Sequence, residues 1–140
     1  VIEYAQLHGS EDAAYIEALR KRTALLGKTA KIIKTVKVGS TADLENISEI
    51  DCEYLLLDAW SKEGEAAGGN GRTFDWSLIK ALEKPFFLAG GLTVDNVQQA
   101  VRMTSPYGID ASSCMETEDC KDLNKMKAFV QAVRVTETNN

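Results

Sequence analysis

Residues 86–113 carry the strongest constraint on the fold. A short apolar run ends in Gly90-Gly91, a segment with helical spacing opens at Thr93 to Asn96, and a second apolar run ends in Asp110-Ala111-Ser112-Ser113. This pattern reads as one complete βαβ unit, which sets two loops rich in backbone donors side by side. Backbone N–H groups unobstructed by a Cβ, next to a helix N-terminus with partial positive charge, can hold an anion without a lysine or arginine. Gly90, Gly91, Ser112 and Ser113 are thus candidate phosphate-binding residues. The plainer alternative is that Gly90-Gly91 is only a tight strand-to-helix turn.

The rest of the chain extends the same alternation, the signature of a parallel sheet covered by helices. Five strands are expected, at Glu3 to Leu7, Ala30 to Val36, Tyr54 to Leu57, Phe86 to Ala89 and Gly108 to Ala111. Between them the helix candidates are Asp12 to Arg22 capped by Ser10, Ala42 to Ile47 capped by Ser40 or Thr41, Trp76 to Leu82, and Val94 to Met103 capped by Thr93. A closing helix, Leu123 to Val133 capped by Asp122, can lay an apolar stripe on the sheet. Residues 1–135 form a single α/β domain in this reading, followed by a polar tail from Thr136 to Asn140. The connection from Ala59 to Thr73 holds Gly64, Gly68, Gly69 and Gly71; it follows a strand and precedes a helix, so it reads as a mobile lid on the C-terminal face of the sheet.

Composition narrows the function. With 140 residues, 44% of them apolar, the chain suffices for one core. Its longest apolar runs fall well short of the roughly 20 residues of a membrane span, and its start has no signal-peptide pattern, so a cytoplasmic location is the default. The 21 acidic and 16 basic side chains give a net charge of −5, with the only basic cluster at Arg20-Lys21-Arg22, which argues against a nucleic-acid partner. That cluster fits the C-terminus of a helix, where cations oppose the dipole. Cys52, Cys114 and Cys120 lack CxxC spacing and accompany a single histidine, so neither a zinc site nor a disulfide framework is expected.

Asp75 sits where the glycine-rich connection turns into a helix and reads equally as an N-cap or as a carboxylate facing a cleft. Asp58 and Asp110 end apolar strands, where a carboxylate is costly to bury without a partner, and Asp110 is the stronger candidate beside the serine pair. His8 follows the first strand, and Gln6 shares its face by the two-residue period, so the two can look into one cavity. A structural role is the ordinary alternative for a lone histidine. Cys114 follows the serines, Cys52 reads as core filler and Cys120 as a surface residue.

Gln6-Leu7-His8-Gly9, Ile33-Lys34-Thr35-Val36, Leu55-Leu56-Leu57-Asp58, Gly68-Gly69-Asn70-Gly71-Arg72-Thr73-Phe74-Asp75-Trp76, Leu88-Ala89-Gly90-Gly91-Leu92 and Gly108-Ile109-Asp110-Ala111-Ser112-Ser113 resemble, in order, successive motifs of the phosphoribosylanthranilate isomerases. The resemblance covers nearly the whole chain. It implies a partial (β/α)₈ TIM barrel, units four to eight, with the first three βα units absent. It also implies an aldose–ketose isomerase of tryptophan biosynthesis, which rearranges N-(5-phosphoribosyl)anthranilate to the carboxyphenylamino-deoxyribulose phosphate. Carried over, Asp75 is the general acid, Gly90, Gly91, Ser112 and Ser113 hold the phosphate, Asp110 faces the anthranilate amino group, and Gln6 and His8 line the pocket. The implied chemistry uses no cofactor and no metal.

The family's general base, a cysteine in a Lys-x-Cys-Gly motif on the first strand, has no match, nor does a substrate-binding arginine from the same region. Two other departures are Cys114 where the family commonly has glycine after the serines, which predicts a crowded phosphate loop, and Glu118-Asp119-Cys120-Lys121-Asp122 in place of a Pro-Gly-x-Lys-Asp turn. Five strands cannot close an eight-stranded barrel, so the edges are expected to be covered by a missing N-terminal segment or a second copy, or the strands to rearrange into an open α/β sheet. The chain alone is therefore expected to be inactive. The alternative is a non-catalytic sugar-phosphate-binding or assembly module from the same barrel. A third reading, another phosphate-binding barrel enzyme acting on indole or histidine precursors, fits the Thr-Phe-Asp-Trp segment poorly.

Overall fold

Five short segments pair side by side, all parallel, in sequence order: β1 (Tyr4–Leu7), β2 (Lys31–Val38), β3 (Tyr54–Ala59), β4 (Phe86–Leu88) and β5 (Gly108–Ile109). The computed structural model describes residues 2–59, 73–79 and 82–137. The connection read as a lid falls in 60–72, outside the described residues. Helices α1 (Ala13–Leu25), α2 (Val97–Thr104) and α3 (Leu123–Glu137) connect or follow the strands. Among the described residues no helix is long and apolar enough to cross a membrane.

The strand register fixes which side chains share a face. Ile32, Lys34, Leu55, Leu57, Phe86 and Leu88 point one way, and the apolar members of this set form the core with Ile16 of α1, Val97 and Ala100 of α2, and Phe129 and Ala132 of α3. Ile32, Leu55, Leu57 and Leu88 are 0% exposed, so this face supplies most of the hydrophobic stabilisation. The opposite face carries Tyr4, Gln6, Ile33, Thr35, Tyr54 and Phe87 and is largely half-buried or exposed. At its N-terminal end Tyr54 stacks at tilted angles on Tyr4, Phe87 and Tyr107, with ring centroids 6.1, 5.7 and 5.1 Å apart, and Lys31 lies 5.4 Å over the Tyr4 ring. Gly108 lets the Phe87 ring cross β5, since a Cβ there would stand 2.7 Å from it. Burial is therefore uneven: on this opposite face Leu56 is 5% exposed, while its neighbours stay half-buried or exposed.

Several helix expectations need correction. Helix α1 is capped by Asp12, whose Oδ1 accepts from the Tyr15 N–H at 2.8 Å, not by Ser10. It runs to Leu25, past the basic cluster. Arg20 there forks onto the β2–β3 connection, donating to Asp51 at 2.7 Å and Glu53 at 3.1 Å, and Lys21 pairs with Glu17 one turn back. The expected helix over Ala42 to Ile47 is instead two 3₁₀ turns, Thr41–Leu44 and Ile47–Glu49, because Asn46 between them is left-handed (φ 57°). Of the expected Trp76 to Leu82 helix, the described residues show a single 3₁₀ turn, Trp76–Leu78, followed by an extended Ile79, while residues 80 and 81 lie outside the described residues. Helix α2 starts three residues later than expected, at Val97 with Asn96 as its cap. Helix α3 has the expected Asp122 cap, which accepts from the Asn124 and Lys125 N–H groups, and continues to Glu137, into the segment read as a tail. An antiparallel hairpin, β6 (Glu116–Thr117) with β7 (Cys120–Lys121), had no sequence forecast at all.

Leu57 is enclosed by the helix-covered face, and its truncation leaves a cavity. We expect Leu57→Ala to lower unfolding free energy in urea by about 2–5 kcal/mol, while Leu25→Ala, on the exposed end of α1, leaves the midpoint almost unmoved.

Candidate phosphate-binding cleft

The C-terminal ends of β3, β4 and β5 converge on one small cleft of about 130 Å³, walled by Asp58, Ala89, Gly90, Gly91, Leu92, Asp110, Ala111, Ser112 and Ser113. Both loops of the βαβ unit are in this wall, so the structure brings the four candidate phosphate residues together with Asp110. Gly90 and Gly91 are left-handed (φ 85° and 64°). At Gly90 a Cβ would stand 2.4 Å from the Ala59 nitrogen and 2.7 Å from Asp58 Oδ1, so only glycine lets this loop pass the end of β3. The turn that follows is tied by Asn96, whose Oδ1 accepts from the Thr93 N–H (2.8 Å) and whose amide donates to the Gly91 carbonyl (3.0 Å). That double use explains why α2 opens at Val97.

Beyond β5, Ser113–Met115 forms a short 3₁₀ turn. Cys114 has a negative φ, so the Cβ that replaces a family glycine costs no left-handed strain. Burial pushes the Cys114 and Cys52 thiols up, which disfavours thiolate at either. Cys52 lies in the core and Cys120 on the surface, as read from the sequence.

The other candidates are elsewhere. The Asp75 carboxylate does not line the cleft; it is exposed and accepts from the Ser77 N–H at 2.9 Å, as the cap of the Trp76–Leu78 turn. The Ser77 side chain and backbone hold it below the usual aspartate range, so it is ionised at neutral pH. Phe74 and Trp76, both buried, anchor the segment and turn the intervening Asp75 outward. Gln6 and His8 are exposed on or just past β1, with β2 between them and β3, the nearest strand of the cleft.

Two features of the cleft escaped the sequence reading. Asp58 was weighed below Asp110, yet it is half-buried in the cleft wall and its carboxylate pairs with Lys37, its register partner on β2. Lys121 was not considered because it is nine positions beyond Ser112; the hairpin returns it to donate to Ser112 Oγ at 2.8 Å. The signal for Asp58 was present: a carboxylate ending an apolar strand one residue before a loop.

The sequence profile of a family described as N-(5′-phosphoribosyl)anthranilate isomerase matches residues 1–132. An isomerase of that name from Acetivibrio thermocellus is 42% identical over 140 residues, covering 95% of this chain and 62% of its own length. The crystal structure of phosphoribosyl anthranilate isomerase from Thermotoga maritima superposes with a TM-score of 0.76 at 29% identity, over 95% of this chain and 62% of that one. A structure of such an isomerase in complex with reduced 1-(o-carboxyphenylamino)-1-deoxyribulose 5-phosphate matches with a TM-score of 0.71 at 27% identity, over 95% and 60% of the two chains. The chain thus spans about 62% of the length of the curated relatives it matches.

Two outcomes follow from the cleft geometry. Gly90→Ala forces a Cβ into the end of β3 at a left-handed φ and should destabilise by more than about 1 kcal/mol in chemical denaturation. The Lys121 ammonium, with Ser112 adding to it, holds the Glu116 carboxyl below its ordinary value of 4.5, so the contribution of this pair is present above that value and lost as pH falls through the lower folded one. A carboxyl ¹³C titration should show that depressed midpoint, and Lys121→Met should return it upward.

Proposed function

The chain belongs to the N-(5′-phosphoribosyl)anthranilate isomerase family, and from this premise we propose that it provides the phosphate-gripping and proton-donating side of that Amadori rearrangement in tryptophan biosynthesis. The observation that supports this most is the shared wall of the cleft, in which donor-rich loops from two strand ends lie beside a carboxylate from a third.

The phosphate of N-(5-phosphoribosyl)anthranilate sits against Gly90, Gly91, Ser112 and Ser113, which directs the ribose along the strand ends. A carboxylic acid protonates the ring oxygen, the C1–O bond opens, and the nitrogen lone pair completes a Schiff base. A base then removes the C2 proton, giving an enolamine that tautomerises to the ketose. Geometry favours Asp58 over Asp75 as the acid, because Asp58 shares the cleft with the phosphate loops while Asp75 is spent as a cap. Lys37 must release Asp58 before the latter can carry a proton, and the anthranilate carboxylate is a suitable alternative partner for that ammonium. Asp110 faces the anthranilate amino group, and Gln6 and His8 lie on the substrate's far side.

Among the described residues the titratable groups lining the cleft are Asp58 and Asp110, assigned in this reading to the acid and to the anthranilate amino group, and burial pushes up the Cys52 and Cys114 thiols, which disfavours thiolate as the base. We therefore place these five strands as units four to eight of the barrel, the base coming from a strand outside the five. The expected result is no turnover of N-(5-phosphoribosyl)anthranilate by the 140-residue polypeptide, and turnover once it is joined to the first three βα units of a relative. In the joined protein Asp58→Asn should lower kcat by about 100-fold or more and Asp75→Asn far less. Turnover by the polypeptide alone would refute the division of labour, and the reverse order of the two variants would return the acid to Asp75. Binding of a product analogue without turnover in the joined protein would favour the non-catalytic module.

A further inference from the structure

An anion entering this cleft meets two carboxylates, Asp58 and Asp110, in the same wall as its donors. Asp58 is already paired with Lys37, and the backbone donors hold an anion by themselves, but a cation within hydrogen-bonding reach of the phosphate loops adds attraction, and β6–β7 supplies one. Glu118 and Asp119 are both left-handed (φ 49° and 60°), the two-residue turn that matches the twist of a tight hairpin. A proline cannot take the first of these positions, so the turn differs in kind from the Pro-Gly turn of the resembling family. The hairpin sets Glu116 opposite Lys121, and the Asp122 N–H closes it on the Met115 carbonyl at 2.8 Å.

Lys121 Nζ then donates to Ser112 Oγ at 2.8 Å, to the Ser112 carbonyl at 3.2 Å and to Glu116 Oε1. Glu116 Oε1 also accepts from the Ser112 hydroxyl at 3.4 Å, and Lys125 Nζ pins the Glu116 backbone carbonyl at 2.6 Å. The hydroxyl of a cleft residue is thus turned toward Glu116, and the nearby ammonium is shared with the same carboxylate. A phosphate dianion carries more charge than a carboxylate and accepts more hydrogen bonds, so it competes well for both donors.

We propose that Lys121 and Glu116 form a charge-exchange latch on the phosphate cleft: Glu116 holds Lys121 and Ser112 while the cleft is free, and a bound phosphate monoester takes both donors and releases Glu116 to solvent. The inference rests on the phosphate reading of the cleft and adds two residues to it, one that binds and one that competes. Weaker anions such as simple carboxylates do not displace Glu116, so the latch selects for a doubly charged group.

The test is titration of the 140-residue polypeptide with inorganic phosphate, followed at the Gly91, Ser112 and Ser113 amides by ¹H–¹⁵N spectra. Lys121→Met should weaken binding about tenfold, the equivalent of one charged hydrogen bond. Glu116→Gln should tighten it severalfold, and Lys121→Arg should stay near wild type. The opposite signs matter, because an ion pair that merely holds the hairpin makes both substitutions weaken binding; the Thr117 and Cys120 amides report whether the hairpin survives. A second measurement needs no variant: the Glu116 carboxyl titration in the wild-type chain should move upward toward its ordinary value on saturation with phosphate. Phosphate that leaves the cleft amides unmoved ends the site and the latch together. Phosphate that binds there with a Glu116 titration unchanged, or a Glu116→Gln chain that binds no better than wild type, ends the latch alone.

Discussion

The close passage of Gly90 over the end of β3 is the constraint on which the rest of the cleft depends. The backbone of β4 leaves the sheet within van der Waals reach of Ala59 and Asp58, at a φ that a side chain would resist. Because the loop passes there, Asp58 forms one wall of the hollow and the Gly91 turn another, and the Ala89 N–H still reaches the Leu57 carbonyl at 2.8 Å. The phosphate loops and the carboxylate are thus held by sheet hydrogen bonds and a missing Cβ. Groups fixed in this way need little reorganisation when charge develops on a substrate.

The two faces of the sheet divide stability from function. The helix-covered face carries the wholly buried leucines and the isoleucine, and it is complete within the described residues. The other face carries mixed polar and aromatic side chains, including the Thr35 hydroxyl, buried with no hydrogen-bond partner among the described residues. The cleft opens where the ends of this second face meet the loops. Side chains there can change without disturbing the core that holds the strands parallel.

What was legible in the sequence follows from the range of the interactions involved. The five strands and the two donor-rich loops depend on local apolar runs and on glycine and serine placement, so they could be read directly, whereas their side-by-side order follows from long-range pairing. The strand ends shifted by one to two residues, because pairing with a neighbour and not composition terminates them: β2 runs on to Val38 to match β3. The short helices failed as predictions where a side chain found a better local partner, as Asn96 did in the Gly91–Thr93 turn, or where the backbone turned left-handed at Asn46. Asp58 is visible in the sequence as a carboxylate ending an apolar strand, whereas the role of Lys121 depends on Ser112, a neighbour distant in sequence that only the hairpin brings to it. At Asp75 the structure shows the cap that the sequence also allows, with buried Phe74 and Trp76 on either side of it.

Beneath the loop that carries His8 lies a charge pair unlike the surface ones. Lys34, on the helix-covered face of β2, reaches Glu11 at 2.8 Å and the Gly9 carbonyl at 2.7 Å, while Glu11 accepts from the Gly9 N–H. Only about a tenth of the lysine side chain is exposed, so a change at either position alone strands an unmatched ion under the first loop. The pair therefore acts as a unit: an apolar residue at one position favours an apolar residue at the other, since either ion alone would lie unpaired under the loop.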